Sequence, residues 1–194
     1  MKKEFKIIAD LVGKNSRVLD VGCGTGTLLR ELLELGVEAQ NCTGVDFLSD
    51  RIEEANKRSP QAMNFQVGGL ESVDPAHRFD LVTAFTVLSS VLDAQARQEL
   101  LKEMWSRVKP GGWMMIFDFR FNNPRNKDVR AVRSIDFDCL SASCAQQITK
   151  SLLTPPPLAR LLCKVYWRLD PLFAALIPVL RSHTINLLQR SGKT

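Results

Sequence analysis

Residues 18–26 read VLDVGCGTG. Val18, Leu19 and Val21 are enough for a short buried strand, and Gly22, Gly24 and Gly26 then let the backbone turn tightly into a helix that begins near Thr25. A strand, a glycine turn and a helix start together make a nucleotide-type binding turn. A dinucleotide fingerprint places its third glycine three residues after the second; here Gly22, Gly24 and Gly26 are evenly spaced and Thr27 follows. Asp20 precedes the glycines, where a carboxylate repels a phosphate and accepts hydrogen bonds from a charged amine. The turn therefore suits a cationic, phosphate-free ligand.

Working outward, 194 residues suffice for one domain, residues 1–194, with a single substantial core. Hydrophobic residues at 45% and charged ones at 24% belong to a water-soluble globular chain. The N-terminal apolar stretch is broken by Glu4, Lys6 and Asp10, unlike a secretion signal. Cys23, Cys42, Cys139, Cys144 and Cys163 are odd in number and lack the spacing of a zinc site or disulfide framework. Reduced thiols and a cytoplasmic location are the expectation, and no bound metal is expected. A net charge of +5 permits an anionic partner without demanding one.

Strands and helices alternate along the chain. A short amphipathic helix is expected over residues 2–14, the first strand at the glycine turn, and a helix over residues 25–35 with Leu28, Leu29, Leu32 and Leu33 on its apolar face and Gly36 as C-cap. The second strand, residues 42–47, ends at Asp46, where an acidic side chain would accept both hydroxyls of a ribose. Asp50 with Glu53 reads as a capping box for a second helix closed off by Pro60. Residues 63–67 and 79–85 are the third and fourth strands; Asp93 caps a helix over residues 94–108. Lys109 to Gly112 then turn into the fifth strand, WMMIFDF. Strands six and seven are expected over residues 145–153 and 183–190.

VLDVGCGTG, Asp46, FDLV at residues 79–82 and RVKPGG at residues 107–112, in that order, resemble the class I S-adenosylmethionine-dependent methyltransferases across residues 1–120. The resemblance implies an α/β doubly wound sheet of seven strands, order 3-2-1-4-5-7-6, with strand 7 antiparallel and helices on both faces. It also implies S-adenosylmethionine as cofactor, held around Asp20, Gly22, Cys23, Gly24, Gly26, Asp46, Phe47, Gly69, Leu70 and Thr86. Two departures stand out. Gly68, Gly69 and Leu70 precede Glu71 where the family often has an acidic residue directly after the strand for the adenine amine, so backbone groups of Gly69 and Leu70 are expected to read the ring, and Glu71 reads equally as a solvated side chain. After the fourth strand, Thr86, Val87, Leu88, Ser89 and Ser90 replace the prolines of nucleic-acid base methyltransferases and the histidines of many small-molecule ones.

Substrate identity should lie in the remaining third, because function sits on loops outside the strand ends. Asp118 ends the fifth strand; Arg120, Asn122, Asn123 and Arg125 follow in a polar block similar to one in a bacterial subgroup associated with small-molecule or polysaccharide biosynthesis. Together with Lys127, Arg130 and Arg133 it reads either as a clamp for an anionic acceptor or as a solvated loop. Nucleic acid is a poor fit, because the block is short and has few stacking aromatics. In the expected topology His183 starts strand seven beside the end of strand five, so His183, oriented by Asp118, is the candidate base; a structural bond at the strand start is the other reading. Residues 154–182 are rich in Leu and aromatics but interrupted by Arg160, Lys164, Arg168, Asp170, Pro171 and Pro178, too often to span a membrane. A lid over the substrate mouth and an interfacial segment collecting a lipid-like acceptor are both open. The expectation is methyl transfer to a small biosynthetic metabolite or sugar derivative, with an anionic one allowed, and with a membrane-peripheral enzyme of a lipid-like intermediate or a non-catalytic cofactor sensor as alternatives.

Overall fold

The computed structural model describes residues 7–122, 126–152 and 182–192. Seven strands form one sheet: β1 (Val18–Val21), β2 (Cys42–Asp46), β3 (Asn64–Val67), β4 (Phe79–Phe85), β5 (Val108–Phe119), β6 (Cys144–Leu152) and β7 (His183–Arg190). Their order is β3-β2-β1-β4-β5-β7-β6, as expected. β1 to β5 pair in parallel, and β7 runs antiparallel to both β5 and β6.

Both faces of the sheet are covered, which is why its inner strands are apolar on successive residues. On one face, helix α1 (Thr27–Glu34) buries Leu28, Leu29 and Leu32, and helix α2 (Ser49–Arg58) buries Ile52 and Ala55, against Val18, Leu81 and Met115. On the other, helix α3 (Ala94–Arg107) packs Leu101, Met104 and Trp105 against Val82, Met114 and Ile116, with Phe137 and Leu140 of the 3-10 segment Ser134–Ser143 beside them. Asp93 caps α3 as expected, accepting the Ala96 N–H at 2.7 Å. Gly36 ends α1 at φ 88°, where its N–H reaches Leu33 O at 2.9 Å and Val37 N–H reaches Leu32 O at 3.1 Å; a side chain there would meet the left-handed penalty.

Three local expectations change. α2 starts at Ser49 with Leu48 as N-cap, so Asp50 and Glu53 form no capping box; Glu53 pairs instead with Lys57 one turn on, at 2.6 Å. Residues 109–112 are an irregularity inside β5, between the pairs Phe79 with Val108 and Leu81 with Trp113, because Val108 already joins the sheet before the prolyl turn. From the expected helix over 2–14, residues 7–9 are helical and residues 1–6 lie outside the described residues, as does the segment 153–181. No helix among the described residues is long and apolar enough to cross a membrane.

Candidate active site

A cavity of about 730 Å³ opens at the carboxyl ends of β1 to β4, the edge where ligands of doubly wound sheets bind. Its floor joins Gly22 and Gly24 after β1 with Asp46 and Phe47 at the end of β2, and its sides are Gly69 and Leu70 after β3 and Thr86 after β4. Seven residues assigned to the cofactor by resemblance thus meet in one concavity. A single face of α3 closes it: Ala96, Glu99, Leu100 and Glu103 recur at helical spacing and all line the cavity.

Asp46 is the polar centre. Its Oδ2 accepts the Gly24 N–H at 2.8 Å and its Oδ1 the Leu48 N–H at 3.0 Å. Each oxygen keeps a second acceptor position, so the pinned carboxylate has the capacity to take a pair of vicinal hydroxyls. Gly22 sits at φ 69°, and a Cβ there would fall inside the contact distance of the adjoining Val87 Cγ2. Thr86 is the one non-glycine residue at positive φ among the described residues, at 57°. Its N–H is tied to Phe117 O at 2.7 Å; a β-branched residue held there is strained, and such strain collects at functional sites.

Asp20, Cys23 and Gly26 lie beneath the floor and outside the cavity lining. Asp20 is 3% exposed and accepts the Thr83 hydroxyl at 2.7 Å. Burial pushes its pKa up to about 7, against the Thr83 bond and with the help of Asp46. Cys23 is buried under the turn, its thiol raised by burial and then by Asp20 and Asp46, so it is an inert packing group. Gly26 is the N-cap of α1.

Glu71 belongs to the site. It lines the cavity, and its Oε1 accepts the Gly69 N–H at 2.7 Å, a bond that lowers its pKa. The Gly69 N–H is consequently engaged within the protein, and of the edge expected to read a ring there the Glu71 carboxylate is the exposed polar part. Arg51 from the first turn of α2 is the one basic side chain in the lining among the described residues.

The expected pairing of Asp118 with His183 does not form. β5 and β7 match Phe119 with His183 and Asp118 with Thr184, so the two side chains leave opposite faces of the sheet. His183 is 9% exposed, stacks on Phe117 with centroids 4.9 Å apart and planes at 6°, and shares a 2.9 Å hydrogen bond between Nδ1 and Ser182 Oγ. Asp118 is fully buried on the α3 side, accepting the N–H groups of Ser89 at 3.0 Å and Phe119 at 2.9 Å. Burial raises its pKa, opposed by bonds from Ser89 and Phe119 and by the neighbouring His183. Neither residue lines the cavity. Nor do Arg120 and Asn122: Arg120 lies over the Phe121 ring at 4.9 Å, and Asn122 Oδ1 takes the Ala131 N–H at 2.7 Å. Asn123 and Arg125 lie outside the described residues. Among the described residues there is no cluster of His, Cys, Asp and Glu suited to a metal.

Sequence reasoning passed over two buried cations, Arg97 and Arg107 on α3. A signal existed for the first: Arg97 stands four residues before Leu101 and seven before Met104, on the packed face, where an arginine must find internal acceptors. It finds Val91 O from Nε at 3.1 Å and Nη2 at 2.8 Å, and Ala131 O at 3.3 Å.

A parallel sheet with one reversed strand next to its far edge, a glycine turn, a pinned carboxylate and an apolar-walled cavity at the strand ends define a Rossmann-like protein built to hold a nucleoside. Residues 18–112 match the family model described as a methyltransferase domain, and the chain has the class I S-adenosylmethionine-dependent methyltransferase fold. It is 35% identical over 103 residues to a ubiquinone biosynthesis O-methyltransferase of Bradyrhizobium diazoefficiens, covering 52% of this chain and 38% of that protein. Over 111 residues it is 32% identical to a ubiquinone/menaquinone biosynthesis C-methyltransferase of Geotalea daltonii, covering 54% and 46%. The chain therefore spans less than half the length of these curated relatives. In fold it resembles a crystal structure of a SAM-dependent methyltransferase from Archaeoglobus fulgidus, with a TM-score of 0.69 at 17% identity over 96% of this chain and 91% of that one.

Proposed function

We propose that this chain binds S-adenosylmethionine in the 730 Å³ cavity and transfers its methyl group to a small-molecule acceptor. The observation that carries the proposal is Asp46, oriented by the Gly24 and Leu48 N–H groups at the cavity floor for the ribose hydroxyls. Around it, Gly22 and Gly24 leave room for the amino acid portion, and Leu70 and Val87 offer apolar surface to a ring whose amine faces Glu71. The departure after β3 is thereby compensated by a carboxylate three residues later than Gly68.

In the reaction the acceptor atom attacks the methyl carbon, the carbon–sulfur bond breaks with its electron pair going to sulfur, and the acceptor loses a proton. The thioether is already a good leaving group, so the protein's task is alignment and exclusion of water. Alignment falls to Thr86 and Ser90, which face the cavity from the exit of β4.

An acceptor with substantial apolar surface is favoured over an anionic sugar. Among the described residues the cavity walls supply Phe47, Phe85, Val91 and Leu100, four carboxylates (Asp46, Glu71, Glu99 and Glu103) and the single Arg51, while Arg120 and Asn122 point their contacts elsewhere. The curated relatives named for quinone biosynthesis agree with such an acceptor. A lipid-like acceptor presented at a membrane is a second reading, supported by Phe47, Leu48, Leu92 and Phe121, which are large, apolar and exposed at this sheet edge.

Calorimetric titration with S-adenosylmethionine and S-adenosylhomocysteine, on the wild type and on Asp46→Ala, tests the proposal. Binding that is lost in the variant supports it; a wild type that binds neither compound refutes it. Radiolabel transfer to phenolic, quinol and amine acceptors then sorts the acceptor class.

A further inference from the structure

Arg107 is the last residue of α3 and is 5% exposed, yet it makes no contact with the cavity itself. Its guanidinium donates to three backbone carbonyls of one short loop: Nη1 to Val73 O at 3.1 Å and to Asp74 O at 2.7 Å, Nη2 to Leu70 O at 3.0 Å. Glu103 Oε1 lies 3.7 Å from Nη2 and holds the fork from the helix side. The loop so gripped is the one whose preceding turn, Gly68 to Glu71, forms the cavity wall opposite the glycine turn. Of that loop only the 3-10 turn Leu70–Ser72 has regular structure, held by two backbone bonds, Ser72 N–H to Gly69 O and Val73 N–H to Leu70 O, both at 3.1 Å, and by two side-chain bonds, Gly69 N–H to Glu71 Oε1 and Ser72 Oγ to Val67 O. The planar five-donor fork of arginine is suited to collecting several carbonyls at once, and lysine's single ammonium is not.

We infer that Arg107 is a positioning residue for cofactor binding, fixing the ring-side wall of the cavity to α3 by its three carbonyl bonds. The inference rests on the methyltransferase reading above. Glu103 connects the two functions, because it lines the cavity and pairs with Arg107 from one turn earlier on the same helix. Release of the guanidinium leaves three carbonyls without their donor and the Leu70 backbone without its tether, so the wall spreads over several conformations. Only one of these presents Glu71 and Leu70 together.

The test compares Arg107→Met and Arg107→Lys with Lys109→Met. Lys109 pairs with Asp80 at 2.8 Å near Arg17, at the opposite edge of the sheet, and its loss destabilises without reaching the cavity. Each variant is followed by thermal unfolding, by calorimetry with S-adenosylhomocysteine, and by amide hydrogen exchange over residues 68–75. Arg107→Met is expected to weaken S-adenosylhomocysteine binding by about 10- to 100-fold, the range set by misplacing a recognition group by an ångström. Arg107→Lys falls between it and the wild type, and exchange accelerates selectively over residues 68–75. Lys109→Met lowers the unfolding temperature and keeps wild-type affinity. Wild-type affinity in Arg107→Met overturns the inference, as does a loss of affinity in Lys109→Met that scales with its loss of stability. If Arg107→Met does not fold, unchanged affinity and unchanged local exchange in Arg107→Lys overturn it equally. A wild type that fails to bind S-adenosylhomocysteine brings down the methyltransferase reading itself, and the inference with it.

Discussion

Gly22 and Val87 pack directly against each other in the cavity lining, and their contact is open to a double-mutant cycle. Alanine at 22 meets two separate penalties. The first is conformational: φ of 69° lies in the left-handed region, which costs an L-residue about 1–2 kcal/mol. The second is steric, since the new Cβ would overlap Val87 Cγ2, and overpacking costs about 1–3 kcal/mol. Gly22→Ala should therefore lose about 2–5 kcal/mol, which in a chain of this size lowers Tm by about 2–4 °C for each kcal/mol. Val87 Cβ lies 3.6 Å from the same point, an ordinary contact. Truncating Val87 to Ala removes the overlap and leaves the conformational penalty. Val87→Ala alone forfeits about 1 kcal/mol of half-buried methyl groups. In the double variant Gly22→Ala/Val87→Ala the steric term vanishes, giving a favourable coupling of about 1–3 kcal/mol. Urea unfolding of the four proteins measures it, and S-adenosylhomocysteine affinity should recover in parallel, because the wall moves back. Additive losses, with no coupling, would refute the geometry proposed for the glycine turn and the β4 exit.

Four further outcomes follow from the site. Burial pushes the Asp20 carboxyl up to about 7 in the folded state, well above the ordinary aspartate range, so the folded state holds a proton that the unfolded state releases. Stability should fall as pH rises from about 4 to about 7 and then level off, by at most about 4 kcal/mol at 1.36 kcal/mol per unit, and Asp20→Asn should abolish that slope; a slope unchanged in the variant refutes it. Asp46→Asn keeps one acceptor oxygen but loses the charge and turns an NH2 toward the N–H of Gly24 or Leu48, so it should weaken S-adenosylhomocysteine binding by about 1.5–3 kcal/mol and also lower Tm; calorimetry beside thermal unfolding checks both. His183→Asn removes a ring packed on Phe117 and Phe119, so Tm should fall while kcat stays near wild type. A large loss of kcat with an altered pH profile would instead restore His183 as a base. Arg97→Met leaves the carbonyls of Val91 and Ala131 and the Asp136 carboxylate, 3.7 Å away, without their cation, and should cost about 3–5 kcal/mol, read by urea unfolding.

The cofactor side of the molecule was legible in the sequence because each of its parts is local. A glycine triplet, an aspartate at a strand end and the order of elements are written within a few residues, and the strands β4 and β7 appear with the expected bounds. What was not legible depends on which way a side chain leaves the sheet. Asp118 and His183 are brought together by topology, as expected, and separated by pleat, which depends on a register of one residue between distant strands. Arg107 was read as part of a motif, yet its work is done 33 to 37 residues upstream at backbone carbonyls that have no sequence signature. Glu71 looked solvated for a similar reason: its partner is the Gly69 N–H, and only the fold of the loop reveals it.

The failed pairing has a structural use that bears on where acceptor selectivity resides. Asp118 is buried and takes the Ser89 N–H, while Ser89 O accepts the Arg130 N–H at 2.8 Å. Arg97, from the start of α3, grips Val91 O and Ala131 O in the same two segments. The β4 exit loop and the stretch after β5 are thus clamped together from the sheet by a carboxylate and from the helix by a guanidinium. Ser90 and Val91, which lie between the clamped points, face the cavity. Polar residues that would be costly to bury without partners therefore shape the wall, and the side chains at 90 and 91 are left free to vary in chemistry without disturbing their backbone. Neither Asp118 nor Arg97 lines the cavity, and both act on its wall through the backbone of residues 89 to 91.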